Sequence, residues 1–410
     1  MDTFFNVRTV PAAREELFSH WRPKPLAVEE IPLTAAVGRV LAGPVWALED
    51  VPPYARSTVD GYAVRAEDTF GATEALPALF DLVEDIHMGA VPQKRLAPGQ
   101  ASRIATGGML PPGADAVVMV EYTEELDATS FAVLRPVAPG ENVIRAGEDV
   151  AAGEELLPAN SRLRPADIGA LAALGITEVP VWRRPRVAVL STGDEIVPPA
   201  EKPALGQIRD SNSYSLGAAV QEAGGEAIYL GLARDEYRAV LEGVRRGLGE
   251  ADVVVLSGGS SVGVRDVAAK VLTDLGPPGV LVHGVALRPG KPVLIALCQG
   301  KPVFGLPGHP VSALVTFDLF VRPAIHRLLG LRERPQPSVR ARLTRNLASA
   351  TGREDHVRVR LVETAEGLVA EPVLGKSGLL STLVRADGSI VIPPAREGLK
   401  AGEEVEVYLF

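Results

Sequence analysis

Cysteine is almost missing: the 410 residues include one, Cys298. A single thiol can form neither a disulfide within the chain nor a thiolate metal cluster. It closes the apolar run Val293-Leu294-Ile295-Ala296-Leu297 and reads as a buried structural thiol rather than a nucleophile. Long hydrophobic runs are missing too, since none approaches the ~20 residues that span a bilayer. No basic stretch followed by an apolar one marks the N-terminus as a signal peptide, so the expectation is a cytoplasmic protein without membrane contact. Positive charge is in short supply. Lys plus Arg number 42 against 51 Asp plus Glu, a net of −9, which makes a poor binder of nucleic acid, where affinity comes from neutralising phosphates. The six histidines have no zincin spacing, and no G-x-S-x-G elbow is present.

What is abundant is punctuation. The chain has 34 prolines and 41 glycines, which implies many turns and short strands. Its length calls for two to four domains. Residues 11–20 read as a short helix, and 51–145 alternate strand and turn, as in a small β-rich domain. From about 186 the pattern becomes alternating α/β. Val187-Ala188-Val189-Leu190 and Val253-Val254-Val255-Leu256 are continuous apolar runs, as expected of strands buried on both faces. Helices are expected near 213–223, from Asp235 as cap through the stripe Tyr237, Val240, Leu241, Val244 and Leu248, and over 310–328. The segment 331–339 reads as a linker, and the alternation of Val357, Val359 and Leu361 as a small β-barrel or sandwich. The fold class is therefore multi-domain α/β: a parallel-sheet domain with helices on both faces, a β-rich insert and a C-terminal β domain.

Ligands of an open α/β sheet bind beyond the carboxyl ends of its strands. Three loops lie there: Ser191-Thr192-Gly193-Asp194-Glu195, Ser257-Gly258-Gly259-Ser260-Ser261-Val262-Gly263 with Asp266 beyond, and Gly305-Leu306-Pro307-Gly308-His309-Pro310. A Ser/Gly turn entering a helix exposes N–H groups that cradle an anion, although a plain tight turn looks the same in sequence. It is no Walker A motif, because Val264-Arg265 replaces the required Lys-Ser/Thr. Arg288-Pro289-Gly290-Lys291 sets two cations around a turn that can hold an anion or simply be solvated. Asp60, Glu148, Asp149, Asp194, Glu195, Asp210, Asp235 and Asp266 fall in loops or at helix starts. If several converge, a hard divalent cation fits. Asp235 has a competing role as helix cap, and Asp210 as the holder of its own turn. The residues alone give an anion-and-metal site without naming its substrate.

Five motifs in order carry a resemblance over about residues 1–400: Ser57-Thr58-Val59-Asp60-Gly61-Tyr62-Ala63, Arg145-Ala146-Gly147-Glu148-Asp149, Leu190 to Glu195, Ser257 to Gly263 with Asp266, and Leu287 to Pro292 followed by Gly305 to Ser312. Together they resemble the molybdopterin molybdenumtransferase family, which includes the E domain of gephyrin. The resemblance implies four domains: 1–50 with 145–185 as a discontinuous linking and dimerisation domain, 51–144 as the insert, 186–331 binding the pterin, and 332–410 as the C-terminal β domain. It implies insertion of molybdate into adenylylated molybdopterin with release of AMP, magnesium or another divalent cation, and a homodimer whose insert reaches the partner's active site. It also implies transient contact with a molybdopterin adenylyltransferase. Carried over by motif, Asp60, Asp149, Glu195, Asp235 and Asp266 are catalytic, with Asp60, Glu195 and Asp266 on the metal. Thr192, Gly193, Asp194, Ser257, Gly258, Gly259, Ser260, Ser261, Gly263, Arg288, Lys291, Pro307, His309 and Ser312 bind substrate. His309 stands where the family usually has Asn, Arg56 where many members carry Asn, and Gly284 where a basic residue is frequent. Two other readings compete: a molybdopterin adenylyltransferase, and a non-catalytic dimeric scaffold.

Overall fold

The computed structural model describes residues 7–258, 262–332 and 335–410, the side chains of 262–266 excepted. By internal contacts the chain divides into two compact units, Glu30–Val37 with Leu41–Pro180, and Met1–Glu29 with Gly38–Val40 and Val181–Phe410.

The second of these units holds the α/β domain: β1 (Arg186–Thr192), α1 (Asn212–Glu222), β2 (Glu226–Ala233), α2 (Tyr237–Glu250), β3 (Val253–Gly258), α3 (Val262–Asp274), β4 (Gly279–His283), β5 (Leu294–Cys298), β6 (Lys301–Leu306) and α4 (Pro310–Thr316). The six strands run in the order β2-β1-β3-β6-β5-β4. Their apolar runs split by parity, because successive side chains of a strand point to opposite faces. Val187, Val189, Val253 and Val255 enter one core; Ala188, Leu190, Val254 and Leu256 enter the other. Each fully buried Val or Leu contributes about 1.5–3 kcal/mol. Helix α2 lies so close that a Cβ on Gly243 would stand 2.5 Å from Leu190 Cδ2, so a larger residue there would have to push the Leu190 side chain aside in the packed core.

The expected parallel sheet is there in four strands, and two antiparallel strands extend it. β2, β1, β3 and β6 are parallel, whereas β5 pairs antiparallel with β6 and β4 with β5. The reason is local: Gln299 and Gly300 both take positive φ, 53° and 75°, which makes a two-residue hairpin turn. Helix Val10–His20, with Thr9 Oγ accepting from the Ala12 N–H at 3.3 Å, buries Val10, Ala13 and Leu17 in the first core. Helix α4 continues through a π-helical stretch, Phe317–Val321, into helix Arg322–Leu328. Cys298 is fully buried and donates to the Leu272 carbonyl, and burial pushes its thiol up to about 11.

The C-terminal strands Ser338–Leu343, Glu354–Thr364, Gly367–Pro372, Gly388–Ile392 and Glu404–Leu409 close into a ring, because Glu354–Thr364 also pairs with Gly388–Ile392. Val359, Ala370, Ile390, Val405 and Val407 fill it. In the other unit, a six-stranded sheet runs from Ala116–Met119 through Gly61–Val64, Gln100–Ile104, Ala78–Ile86 and Ser130–Val133 to Thr123–Glu125. Its core stacks Tyr62 on Phe131. Among the described residues no helix is long and apolar enough to cross a membrane.

Candidate functional site

The carboxyl ends of β1, β3 and β6 are tied together by buried polar side chains. Ser191 Oγ donates to Asp210 Oδ1 at 3.0 Å and lies 2.8 Å from Ser213 Oγ, and Asp210 Oδ1 also accepts the Ser213 N–H. Asn212 Nδ2 donates both to Ser257 Oγ and to the Gly308 carbonyl, each at 2.8 Å, joining the second loop to the third. Thr192 and Gly258 are paired across β1 and β3. A Cβ on Gly258 would come within 2.2 Å of the Thr192 carbonyl oxygen, and its φ is +150°, so this approach admits only glycine.

Asp194 and Glu195 are exposed just past β1. Asp235, past β2, receives a hydrogen bond from Thr192, and its own N–H reaches Asp194 Oδ1 at 3.4 Å. Its Oδ1 is buried without a hydrogen-bond partner. Burial, and then the negative charges of Asp194 and Glu195, hold its carboxyl above the ordinary value against the opposing Thr192 hydrogen bond. The expected capping role is corrected here. Glu236 precedes α2, and no side chain caps it, because the Asp235 carboxylate turns toward Thr192 instead. Asp210, by contrast, holds its own turn as expected. Gly259, Ser260 and Ser261 lie outside the described residues, as does the side chain of Asp266. Gly263 sits in the first turn of α3.

The antiparallel entry of β5 sets its first residue, Leu294, opposite Gly305. The 288–292 turn therefore sits at the same end of the sheet as Pro307 and His309. Arg288 is exposed and pairs with the buried Asp355 at 3.3 Å; Lys291 is exposed on the same turn. Exposed His309 lies 2.9 Å, through Nδ1, from Ser377 Oγ, and the Val311 N–H donates to the Ser377 carbonyl. Ser312 is buried beside them in sequence. Arg358 is 7% exposed, and its Nε has no hydrogen-bond partner. Burial alone lowers its guanidinium below the ordinary value.

In the other unit, the first two motifs are brought together. Residues 56–57 and 143–144 form a short antiparallel ladder, and the Asp149 N–H donates to the Val51 carbonyl. Asp60 Oδ1 accepts from the Thr106 N–H at 2.7 Å and the Thr106 hydroxyl at 2.8 Å. These two bonds, backbone first, hold the exposed carboxyl below its ordinary value. Asp149 is exposed, and Glu148 accepts from the Arg145 N–H. Among the described residues, no three His, Cys, Asp or Glu side chains gather closely enough to hold a metal ion by themselves.

Sequence reasoning missed Thr106, Asn212, Asp355, Arg358 and Ser377. Thr106 stands in Ala105-Thr106-Gly107-Gly108, which reads as an ordinary turn, and Asn212 in Asp-Ser-Asn, which reads the same way. A signal existed only for Ser377, because Ser377-Gly378 also resembles the last domain of the family named above.

Comparison with known proteins adds the following. Residues 8–175 match the family model of the MoeA N-terminal region, domains I and II. Residues 188–327 match the probable molybdopterin binding domain, and 340–410 the MoeA C-terminal region, domain IV. A molybdopterin molybdenumtransferase of Nostoc sp. is 39% identical over 386 residues, 92% of this chain and 88% of that protein. Two solved structures of molybdopterin biosynthesis MoeA proteins from Pyrococcus horikoshii superpose over nearly the whole chain. One has TM-score 0.81 at 41% identity, covering 98% of this chain and 99% of that one. The other has TM-score 0.85 at 33% identity, covering 99% and 100%.

Proposed function

Since this chain belongs to the molybdopterin molybdenumtransferase family, we propose that its strand-end loops bind adenylylated molybdopterin, that molybdate is inserted there, and that AMP is released. The reaction class itself, insertion of molybdenum into molybdopterin, is a transferase step of molybdenum cofactor biosynthesis.

The observation that carries the finer reading is the two-signed character of one sheet end. Asp194, Glu195 and Asp235 crowd one set of loops, while Arg288 and Lys291 occupy a turn at the same end. The cationic turn neutralises the oxyanion or the pyrophosphate bridge, Arg288 with its planar fork. Asp194, Thr192, Gly193, Ser257, Gly258, Pro307, His309 and Ser312 surround the pterin and its phosphate, together with Gly259, Ser260, Ser261 and Gly263. Hydrolysis of the anhydride adds water at phosphorus, breaks the bridging P–O bond and frees AMP. Asp235, whose Oδ1 lacks a partner, accepts the proton of that water. Asp60, held ionised by Thr106, and Asp149 supply the fixed negative charge of the other unit.

A divalent cation such as magnesium fits this donor set. The orphaned Asp235 oxygen beside two further carboxylates is an arrangement that a cation relieves, and phosphate oxygens complete the coordination. Asp60, Glu195 and Asp266 would hold it, with the unpartnered Asp235 oxygen beside it. When bound, it neutralises phosphate charge as the anhydride opens. We assign a homodimer in the cytoplasm, in which Asp60 of one copy serves the α/β domain of the other, and transient delivery of substrate by an adenylyltransferase. The four domains follow the boundaries at 50, 144, 185 and 331.

The test follows AMP release and cofactor formation together, with adenylylated molybdopterin, magnesium and molybdate. Both appear in step for the wild type. Asp60→Ala and Asp235→Ala are each inactive, and a refolded equal mixture recovers about a quarter of the wild-type rate, because half the dimers are mixed and each has one intact site. AMP release without molybdenum ligation overturns the insertion chemistry. No recovery in the mixture overturns the shared site.

A further inference from the structure

The long barrel strand Glu354–Thr364 also pairs with the α/β domain. Leu287–Arg288 pairs parallel with Glu354–Asp355, with Arg288 opposite Asp355, and the Glu354 N–H donates to the Ala286 carbonyl at 2.9 Å. The backbone thereby fixes where the Asp355 side chain stands relative to the cationic turn. That carboxylate is 2% exposed. Its Oδ2 accepts from Ser349 Oγ at 2.8 Å and from Arg288 Nη1 at 3.3 Å, and Arg353 Nε lies 3.1 Å from Oδ1.

The pair is lopsided. The Arg288 side chain is 58% exposed, that of Asp355 3%. Ion pairs on a protein surface are usually exposed on both sides and hold little. Here the carboxylate is immobilised by its hydroxyl donor and its burial, and the long arginine is tethered to it by one nitrogen. The remaining guanidinium N–H groups keep their hydrogen-bonding capacity, with more than half the side chain open to a ligand. A side chain already held in its binding rotamer loses less freedom when a ligand arrives.

We propose that Asp355 is a positioning residue for oxyanion binding, tethering Arg288 by one edge of its fork so that the other edge meets molybdate. Asp355 does not touch the anion. It acts through Arg288, and the inference rests on the reading above that the cationic turn binds the oxyanion or the pyrophosphate, of which it takes the oxyanion for Arg288. The C-terminal barrel thus takes part in substrate binding through a residue that no strand-end loop contains.

The experiment measures KM for molybdate and, separately, KM for adenylylated molybdopterin, on the full chain carrying Asp355→Asn, Arg288→Ala or both. Asn keeps an acceptor for Ser349 and removes the charge. Arg288→Ala raises the molybdate KM roughly tenfold, as loss of a charged hydrogen bond does. Asp355→Asn raises it about three- to tenfold with kcat and the pterin KM little changed, and adds nothing in the Arg288→Ala background. Asp355→Glu restores part of the loss. If Asp355→Asn fails to fold, Ser349→Ala, which only loosens the carboxylate, shifts the molybdate KM in the same direction by a smaller factor. An Asp355→Asn effect that falls equally on both substrates, or persists undiminished without Arg288, overturns the proposal; so does a flat molybdate KM in both Asp355→Asn and Ser349→Ala. An Arg288→Ala variant with unchanged molybdate KM overturns instead the assignment of Arg288 to the oxyanion, and the positioning role falls with it.

Discussion

Asp60 and Asp235 are the same residue in opposite settings. Asp60 is exposed, accepts two hydrogen bonds from Thr106 through one oxygen, and has its carboxyl held down. Asp235 is half-buried, keeps one oxygen without a partner, and faces two more carboxylates that help hold it up. One environment supplies donors to a charge, and the other withholds them. The first suits a fixed anion; the second suits a group that gains or loses a proton, or awaits a cation. Two carboxylates with environments that push their titrations apart are a recurring way for a site to divide acid–base labour.

Neutralising the fixed charge is the strongest way to sharpen the contrast. Asp60→Ala is expected to lower cofactor formation by about 10²–10³-fold, in the range of losing one preorganised electrostatic group, with only a small loss of thermal stability because the side chain is exposed. A loss under about tenfold, in the range of one ordinary hydrogen bond, would make Asp60 a bystander and end the comparison. Thr106→Val comes next. It removes the hydroxyl donor and leaves the backbone N–H, which is the larger of the two causes of the lowered carboxyl. Activity should fall roughly tenfold, as one charged hydrogen bond implies. The Asp60 carboxyl, followed by NMR across acid pH, should move up only part of the way. A return all the way to the ordinary value would mean that the backbone bond contributes nothing.

The contrast itself was out of reach of the sequence, although both residues were named from it. Val187 to Leu190 and Val253 to Leu256 announced buried strands because burial on both faces leaves an unbroken apolar run, and that pattern is local. The β5–β6 reversal is equally local, in the two positive-φ residues Gln299 and Gly300, but a parallel-sheet pattern of apolar runs does not reveal which neighbours a short turn reverses. The site residues were named through motifs, and what distinguishes one carboxylate from another is non-local. Thr106 meets Asp60 across 46 residues, Asp355 meets Arg288 across 67, and Ser377 meets His309 across 68. No spacing rule connects such pairs; only the folded chain does. Asp235 shows the hazard most clearly. A residue just ahead of a helical stripe is an excellent cap by local rules, and the rule fails here because the Asp235 carboxylate accepts from Thr192 of another strand instead.

The smallest expected effect lies on stability and follows from the sign of the Asp235 shift. Its carboxyl in the folded protein is raised above its value in the unfolded chain, so the folded state binds that proton more tightly. The stability this contributes is fully present below the unfolded value and is lost as pH rises through the folded one. At neutral pH the ionised carboxylate is therefore a burden, carried beside Asp194 and Glu195 with one oxygen unsatisfied. Asp235→Asn removes the burden, and its amide can donate toward the neighbouring carboxylates. In metal-free buffer the variant should melt roughly 1–3 °C higher than wild type at pH 7, and the gain should shrink as pH falls through the ordinary carboxylate range, toward pH 4. Asp60→Asn should show the opposite sign, because a lowered carboxyl contributes stability above the unfolded value that is lost on acidification. A destabilised Asp235→Asn at pH 7, or a gain that does not diminish on acidification, would mean that the half-buried carboxylate is already compensated in the folded protein, and that it resembles Asp60 more than it differs from it.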